Sequence, residues 1–249
     1  MTNSRADPPK TAATVTGVDE VSIVGRASLS TWAERLAPLD LEPIDRDGEA
    51  EVVVITGDLK WGIRFRELSI AIAARPASER SAPALGEGVF LAQAIQTSRL
   101  FSWCERTFFR TPYRFGAVEL SCDPPRVVAK VGTTEVLSFT RSGAERPTET
   151  TTDRNWNAPI FLPERRFHAS DDDRSRRYFV GRIEGEAQVS PFLEESDAFH
   201  IGGHAELPIL EVLRASRYRP VEWVVRRAGT HAKTKTARRE TAAAPDSAL

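Results

Sequence analysis

The feature that most constrains the fold is a series of segments in which β-branched or aromatic residues alternate with polar ones between Gly, Pro and Asp breaks. This alternation is typical of strands that turn one face towards an apolar core. Between two of the segments lies Asp123-Pro124-Pro125, and because proline fixes φ and has no amide donor, a hairpin connection is predicted there. The sequence therefore predicts a mostly antiparallel sheet, with strands at residues 20–26, 49–57, 63–74, 88–96, 114–122, 126–139, 178–189 and 218–226.

Two short helices are predicted between the strands. The first covers residues 30–37, with Ser28 or Ser30 as its N-cap and Pro38 at its end. The second covers residues 98–109, and its apolar face is formed by Leu100, Trp103, Cys104, Thr107 and Phe108. Because a long sheet hides its edges most economically by closing on itself, we predict an α+β fold, a predominantly antiparallel β closed barrel with two short helices.

The chain length and the terminal compositions predict one domain with a tail at each end. The 249 residues are enough to bury one apolar core. Residues 1–18 are rich in Thr, Ala and Pro, and residues 229–249 mix Lys, Arg, Thr and Ala without an apolar period. We therefore predict a disordered N-terminal tail at 1–18, a barrel domain at 19–228 and a disordered basic C-terminal tail at 229–249.

Charge and composition argue against several classes of partner. The chain has 34 basic and 35 acidic residues and a formal net charge of -1, so no overall field attracts nucleic acid or an anionic membrane. No apolar stretch approaches the roughly 20 residues that span a bilayer, and the polar start lacks the apolar centre of a secretory signal. Two isolated cysteines, Cys104 and Cys122, do not make a disulfide framework. We expect a soluble, cytoplasmic protein with no nucleic-acid and no membrane partner.

Candidate metal ligands are poorly grouped. His200 and His204 have a spacing that lets two histidines share a metal on a helix, but Gly202 and Gly203 between them oppose a helix. The acidic run Asp171–Asp173 lacks the ligand spacing of a cation-binding loop. We expect ordinary loops at both places, and neither a metal nor another cofactor.

A set of motifs follows in order from Ser22 to Val212. They are Ser22-Ile-Val-Gly-Arg26, Trp32-Ala-Glu-Arg-Leu-Ala-Pro38, Leu41-Glu-Pro43, Arg66-Glu67-Leu-Ser-Ile-Ala-Ile72 and Glu206-Leu-Pro-Ile-Leu-Glu-Val212. Together they resemble the acetoacetate decarboxylase family. The resemblance implies a cone-like barrel with an internal pocket, a homo-oligomer, and a lysine that forms a Schiff base with a 3-oxo acid.

The paired lysines of that family are missing from the matching segment. Residues 102–113 read Ser-Trp-Cys-Glu-Arg-Thr-Phe-Phe-Arg-Thr-Pro-Tyr. Arg106 falls nearest to the lysine position, with Glu105 and Thr107 as alternatives. A guanidinium stays protonated and cannot form an imine.

The remaining lysines do not obviously replace the missing pair. Lys130 lies in a predicted strand where Val127, Ala129 and Val131 form the apolar set, so alternation turns Lys130 outward. The others, Lys10, Lys60, Lys233 and Lys235, fall in a predicted turn or in the predicted tails. We therefore predict a protein without a Schiff-base lysine.

Glu67 is the best candidate for a catalytic group. By alternation it shares one side of its strand with Ile63, Phe65, Ala71 and Ala73. If that side faces the barrel interior, burial raises the pKa of Glu67 and lets it act as a general acid or base. The resemblance also implies a functional glutamate in this Glu-x-x-x-Ala-Ile pattern. The alternative is a glutamate paired at the barrel rim with Arg26, Arg64 or Arg66.

Arginine and tyrosine supply candidate groups for substrate binding. A guanidinium can bind a carboxylate at two points, so Arg26 and Arg106 are candidates, and Tyr113 could present its hydroxyl to a pocket. The predicted function is to bind a small oxo acid or related carboxylate and, if the protein is an enzyme, to transform it in a lyase-type reaction. The alternative is a non-catalytic small-ligand-binding or structural barrel.

Overall fold

The computed structural model describes residues 10–77, 85–163 and 176–239. Residues 1–9 and 240–249, the outer parts of the two predicted tails, lie outside the described residues, as does the Asp171–Asp173 run. The strands within the described ranges are β1 (Thr11–Ser28), β2 (Leu41–Pro43), β3 (Asp45–Arg46), β4 (Glu49–Trp61), β5 (Ile63–Pro76), β6 (Gly88–Gln96), β7 (Tyr113–Phe115), β8 (Ala117–Cys122), β9 (Pro125–Val131), β10 (Thr134–Thr140), β11 (Glu149–Thr151), β12 (Trp156–Phe161), β13 (Arg176–Glu184), β14 (Ala187–Pro191), β15 (Ala198–Ile201), β16 (Arg219–Thr234) and β17 (Ala237–Arg239). The helical elements are α1 (Leu29–Leu36), a 3₁₀ turn (Ala37–Leu39), α2 (Arg99–Cys104), a π-helical turn (Glu105–Phe109) and α3 (Ile209–Ala215).

Seven of the described strands close into a barrel. They pair in the order β16, β1, β4, β5, β6, β12, β13, and β13 pairs back to β16 to complete the ring. Neighbours in the ring are antiparallel except β6 and β12, which are parallel. A closed ring leaves none of these strands with a free edge. The predicted α+β barrel is therefore confirmed.

The main apolar cluster of the described residues lies outside the barrel, while two smaller buried clusters include cavity-lining residues such as Leu91 and Phe65. Strands β15, β10, β9 and β8 form a second, four-stranded sheet. Its Val127 and Phe139 belong to one buried cluster with Val21, Val54 and Ile70 of the barrel strands. Because successive residues of a strand point to opposite faces, the neighbours of those barrel residues point inward, where they line a cavity.

Two of the described helices lie where the sequence predicts them, and α3 was not predicted. The Thr31 amide donates to Ser28 Oγ at 3.3 Å, so Ser28 caps α1. The Phe101 amide donates to Ser98 Oγ at 3.2 Å, which starts α2 at the predicted position. No helix among the described residues is long and apolar enough to cross a membrane.

The inner parts of both predicted tails are strands. β1 begins at Thr11 and β16 continues to Thr234, and these two residues are paired. β17 adds Ala237–Arg239 against β13. The weakly apolar composition of residues 11–18 and 229–239 by itself predicts tails. Here the backbone hydrogen bonds of long-range pairing partners stabilise strands that local composition does not indicate.

A bulge in β16 reverses which of its side chains face the barrel interior. Glu20 and Val18 of β1 pair with Arg226 and Gly229, so β16 has one extra residue over this step. Ala228, within the step, has a left-handed φ of 52°. Because side chains alternate with period two, the extra residue moves the inward set from even to odd positions. The cavity-lining residues before it are Val224 and Arg226, and those after it include His231 and Lys233.

Candidate functional site

The barrel interior holds a cavity of about 560 Å³. Side chains from α2 and the π-helical turn, among them Phe101 and Phe109, form part of its wall. Phe101 packs edge to face on Phe65 of β5, with ring centroids 4.9 Å apart. The helix that follows β6 therefore covers part of the cavity with aromatic rings.

One row of paired residues crosses the cavity wall and carries two carboxylates. Arg226, Glu20, Gly57, Glu67 and Gln96 are successive partners on β16, β1, β4, β5 and β6. We call this set the carboxylate row. Neighbouring strands are about 4.8 Å apart, so the Cα atoms of Glu20 and Glu67 are separated by about 10 Å. Gly57, between them, has no side chain to fill the gap.

Glu67 faces the cavity and is hydrogen-bonded there. Tyr113 Oη donates to Glu67 Oε2 at 3.0 Å, and Gln96 Nε2 donates to the same oxygen at 3.5 Å. Burial, and then the negative charge of Glu105, raise the pKa of Glu67, while Lys233, His231 and the Tyr113 bond offset part of this shift. A glutamate with a raised pKa can give or take a proton closer to neutral pH.

Tyr113 reaches Glu67 because β7 pairs with β6. Tyr113 is the partner of Ala94, and Gln93 Nε2 donates to the Pro112 carbonyl at 2.5 Å, which fixes the chain just before Tyr113. Burial, then the charge of Glu67, raise the pKa of Tyr113 well above 10.0. Its hydroxyl therefore keeps its proton and acts as a hydrogen-bond donor.

Lys233 is a basic residue that lines the same cavity as this pair. Its Nζ donates to Glu105 Oε1, and Thr111 Oγ1 donates to Glu105 Oε2 at 3.1 Å. The Lys233 Nζ lies 4.2 Å from the centroid of the Phe109 ring and 6.0 Å from that of Phe179. The Lys233 amine therefore has a carboxylate and two aromatic ring faces as its neighbours.

The other carboxylate of the row, Glu20, is bound by basic and hydroxyl side chains. Arg226 Nη1 donates to Glu20 Oε2 at 2.6 Å, and His231 Nε2 lies 3.0 Å from the same oxygen. Ser22 Oγ donates to Glu20 Oε1 at 2.8 Å. Burial alone would raise the pKa of Glu20, but His231, Arg226 and Ser22 outweigh it, and the pKa lies below the usual value.

The arginines proposed from the sequence do not lie beside Glu67. Arg26 Nη1 donates to Glu51 Oε2 at 2.7 Å, and Arg106 Nε donates to the Ser102 carbonyl at 3.3 Å. Neither lines the cavity. The alternative of a rim pair with Glu67 is not observed either, because the guanidinium groups of Arg64 and Arg66 bind Asp58. Of the four predicted site residues, the structure brings together Glu67 and Tyr113.

Lys233 was missed because its segment was interpreted as a tail. Lys130 does face outward as alternation indicates, with its Nζ 3.5 Å from Glu119. The signal that could have found the strand around Lys233, though not the side to which Lys233 points, is the Thr-His-Ala-Lys-Thr sequence at 230–234. It alternates with period two, and its β-branched ends fit a strand.

Comparisons with known proteins identify the fold. No model of a known family matches the sequence, and no curated protein sequence is similar enough to count as a relative. Among solved structures, an acetoacetate decarboxylase from Legionella pneumophila is similar over 96% of this chain and 93% of its own, with a TM-score of 0.62 and 12% identity. Another acetoacetate decarboxylase structure covers 90% of this chain and 88% of its own, with a TM-score of 0.61 and 15% identity. The chain has the acetoacetate decarboxylase-like fold.

The same acetoacetate decarboxylase-like fold occurs in the enduracididine biosynthesis enzyme MppR. Its complex with pyruvate is similar over 95% of this chain and 93% of its own, with a TM-score of 0.57 and 12% identity. In the present chain, the segment where the resemblance implies paired lysines supplies Glu105 and Tyr113 to the cavity instead. Lys233, which also lines the cavity, belongs to β16. Within the described ranges, no group of three or more His, Cys, Asp or Glu side chains is placed to hold a metal ion.

Proposed function

We propose that the cavity binds a small oxo acid and that Glu67 transfers a proton at the carbon next to its oxo group. The reaction is of the lyase type and uses no Schiff-base lysine. The observation that carries the proposal is the Glu67–Tyr113 hydrogen bond at 3.0 Å inside a largely apolar cavity that also holds Lys233. MppR complexes with pyruvate, and with the condensation product of pyruvate and imidazole 4-carboxaldehyde, support an oxo acid as a ligand for this fold.

Glu67 and Tyr113 have complementary roles in this reaction. The Glu67 carboxylate removes a proton from the carbon next to the oxo group, and the electron pair of that C–H bond moves towards the oxo oxygen. As Glu67 takes up the proton, the Tyr113 hydroxyl, whose pKa is raised, turns its single hydrogen from Glu67 to the oxygen as negative charge develops there. In the reverse step the protonated Glu67 returns the proton to carbon.

Lys233 is the proposed anchor for the substrate carboxylate. A Schiff base needs a neutral amine, whereas the ammonium of Lys233 is paired with Glu105 and lies over the Phe109 ring. An incoming carboxylate can share this ammonium with Glu105 in a charge-assisted hydrogen bond. Lys233 therefore binds the substrate as a cation and does not attack its oxo carbon.

Proton exchange tests the proposal directly. In D₂O, wild-type protein should exchange the C3 protons of pyruvate, as followed by NMR. Glu67→Gln keeps the shape and hydrogen-bonding capacity but removes the titrating group, so exchange should fall by roughly 10² to 10⁴ while affinity changes little. Glu119→Gln, on the exposed face of β8, is the matched control and should exchange normally. Exchange that survives Glu67→Gln assigns the base to another residue.

A non-catalytic binding barrel is the second candidate. It is favoured by the Glu105–Lys233 ion pair, which already neutralises the lysine in the cavity. In that case pyruvate or another oxo acid binds, the wild-type protein exchanges no C3 protons, and Glu67→Gln alters only affinity.

The proposal includes assembly of several copies of the chain. Several large apolar side chains are half exposed or more. They are Trp61 and Ile63 at the β4–β5 hairpin, and Leu100, Trp103 and Phe108 on α2 and the π-helical turn. Exposed apolar patches of this kind mark contact surfaces. Light scattering should give a mass of several chains for the wild type, and Leu100→Glu should lower it. A wild-type mass of one chain would contradict the assembly.

A further inference from the structure

We propose that the natural oxo acid carries an extended apolar chain of about ten carbon atoms, which lies in the cavity beyond the carboxylate row. This inference rests on the proposed function, because the acid end of the ligand is placed at Glu67 and Lys233. It names the class of substrate that the site takes: a medium-chain acyl or arylalkyl oxo acid in place of pyruvate itself.

Two further rows of the barrel wall lie beyond the carboxylate row. Ser22, Ile55 and Ser69 are successive partners on β1, β4 and β5, and form the first of these rows. The next row contains Val24, Val53, Ala71 and Leu91, again paired across neighbouring strands. All of these side chains line the cavity.

On β1, β4, β5 and β6 neither of these rows carries a charge. Other charged residues line the cavity before β12 and on β13, where Arg154 Nη2 donates to Glu222 Oε2 at 2.8 Å and Arg182 Nη1 lies 3.6 Å from Glu184 Oε1. The next charged group along β4 is Glu51, whose Oε2 accepts a hydrogen bond from Arg26 Nη1 at 2.7 Å. That carboxylate is therefore already paired. An apolar chain can fill the two rows without burying an unpaired polar atom, whereas a second carboxylate or a sugar would lose its hydration there.

The depth of this region sets the length of the chain. Glu67 and Ala71 are four residues apart on one strand, which is roughly 13 Å at the rise of a β-strand. An extended chain of about ten carbon atoms has that length at C–C bond lengths near 1.5 Å.

The volume agrees with a ligand of this size. At about 30 Å³ for each water-sized group, the cavity of about 560 Å³ can hold roughly 18 such groups. Pyruvate would fill a minor part of it and leave apolar walls in contact with water. Small side chains at Ser22, Ser69 and Ala71 keep the space open.

A chain-length series tests the inference. The full chain is titrated by calorimetry with pyruvate, 2-oxohexanoate, 2-oxodecanoate and 2-oxotetradecanoate. Each methylene that enters the apolar rows should raise affinity roughly fourfold, with the gain ending about ten carbons beyond C3, between 2-oxodecanoate and 2-oxotetradecanoate.

Ala71→Phe fills the far row and should lower the affinity for 2-oxodecanoate by about tenfold or more while pyruvate binds as before. Leu91→Phe fills the same row from β6 and serves if Ala71→Phe does not fold. Ala117→Phe, at an exposed position of β8, is the control and should leave the whole series unchanged.

The outcomes separate the two proposals. If pyruvate binds and the longer acids bind no better, or if Ala71→Phe and Leu91→Phe weaken none of them, the extended-chain inference is wrong and the proposed function stands. If none of the four acids binds and none exchanges protons, the proposed function is wrong, and the inference falls with it.

Discussion

At the scale of single residues, the carboxylate row contains two glutamates whose pKa values are shifted in opposite directions. Glu67 has a raised pKa because burial and Glu105 disfavour its charge. Glu20 has a lowered pKa because His231, Arg226 and Ser22 outweigh its burial. Environments that push the pKa values of two nearby carboxyls apart assign them different tasks. Glu67 is suited to move protons, and Glu20 to hold Arg226 and His231 in place.

Removing the Tyr113 hydroxyl should shift the pH dependence of exchange. The rate needs the Glu67 carboxylate, so it should rise with pH through the raised pKa of Glu67. The Tyr113 hydrogen bond lowers that pKa, so Tyr113→Phe should raise it and move the midpoint of the profile to higher pH, with a lower plateau from the lost oxygen donor. NMR exchange rates over a pH series measure both. Tyr178→Phe, which does not touch Glu67, should leave the midpoint in place.

Borohydride trapping distinguishes a cationic anchor from a nucleophile at Lys233. With oxo acids and borohydride, mass spectrometry should find the protein mass unchanged, because the Lys233 amine is paired with Glu105 and lies over the Phe109 ring. A stable adduct mapped to Lys233 would establish Schiff-base chemistry there and contradict the proposed anchor. An adduct at Lys130 would contradict its outward orientation.

At the scale of elements, the bulge in β16 decides whether the cavity contains a lysine. Without the bulge, a strict two-residue alternation of the present sequence would turn His231 and Lys233 outward. Deleting Ala228 removes the bulge but also moves both residues one position closer to Arg226, so they stay inward. We expect the deletion variant to keep pyruvate binding, which Lys233→Met loses, with its far-UV circular dichroism retained. Lys235→Met is the control, since Lys235 follows the strand and is exposed. A folded deletion variant that binds no pyruvate would contradict this placement of Lys233 by alternation.

The strands that could be predicted are those whose two faces differ in polarity. β4, β5 and β6 pack one face on the outer core, and their alternation gives their positions and the side to which Glu67 points. The outer halves of β1 and β16 lack that signal, because the bulge breaks the period and the inward side chains include charged groups. A break of one residue cannot be located from composition, so neither the inward turn nor the role of Lys233 could be derived from the sequence.

Among the other elements that were not predicted, β12 and α3 were missed for different physical reasons. β12 contains Pro159, which interrupts a strand pattern, yet it pairs with both β6 and β13. α3 spans Ile209–Ala215, and its buried residues include Leu210, Val212 and Leu213. Their apolar run does not by itself distinguish a buried helix from a strand.

At the scale of the whole molecule, a buried ion pair connects the loop after β10 to the barrel. Arg146 of that loop binds Asp197, which in turn binds Trp223 of β16. Arg146 and Asp197 have side-chain exposures of 1% and 0%. Asp197 also accepts hydrogen bonds from the Ser142 amide at 2.8 Å and from Trp223 Nε1 at 2.9 Å. Burial alone would raise the pKa of Asp197, but these bonds outweigh it and hold the pKa well below 3.8.

Breaking that pair should destabilise the fold in a pH-dependent way. Arg146→Met leaves a buried carboxylate without its cation, so the free energy of unfolding at pH 7 should fall by about 3–5 kcal/mol. Because the folded pKa of Asp197 is lowered, its stabilisation in the wild type is present above 3.8 and is lost as the pH falls towards the folded pKa. Urea unfolding at pH 7 and near pH 3 measures the difference. Arg75→Met, which breaks the exposed pair with Glu42, should cost about 1 kcal/mol or less.

Two adjacent valines of β4 provide a test of where the stability resides. Val54 is fully buried in the outer core, whereas Val53 lines the cavity. Val54→Ala should lower the free energy of unfolding by about 2 kcal/mol, because it leaves a void among packed neighbours. Val53→Ala removes the same atoms from a wall that already faces open space, so it should cost less than half as much. If urea unfolding gave the same decrease in the free energy of unfolding for both variants, the cavity-lining side chains would stabilise the fold as much as the outer core does.

The placement of the packed core outside the barrel has a consequence for how such a chain can diversify. Residues that hold the sheets together and residues that contact a ligand alternate along the same strands, one position apart. Substitutions at the inward positions can therefore accumulate without unfolding the chain, and ligand preference is free to drift while the architecture persists. A barrel arranged in this way can come to serve new chemistry one inward residue at a time, with each intermediate still folded.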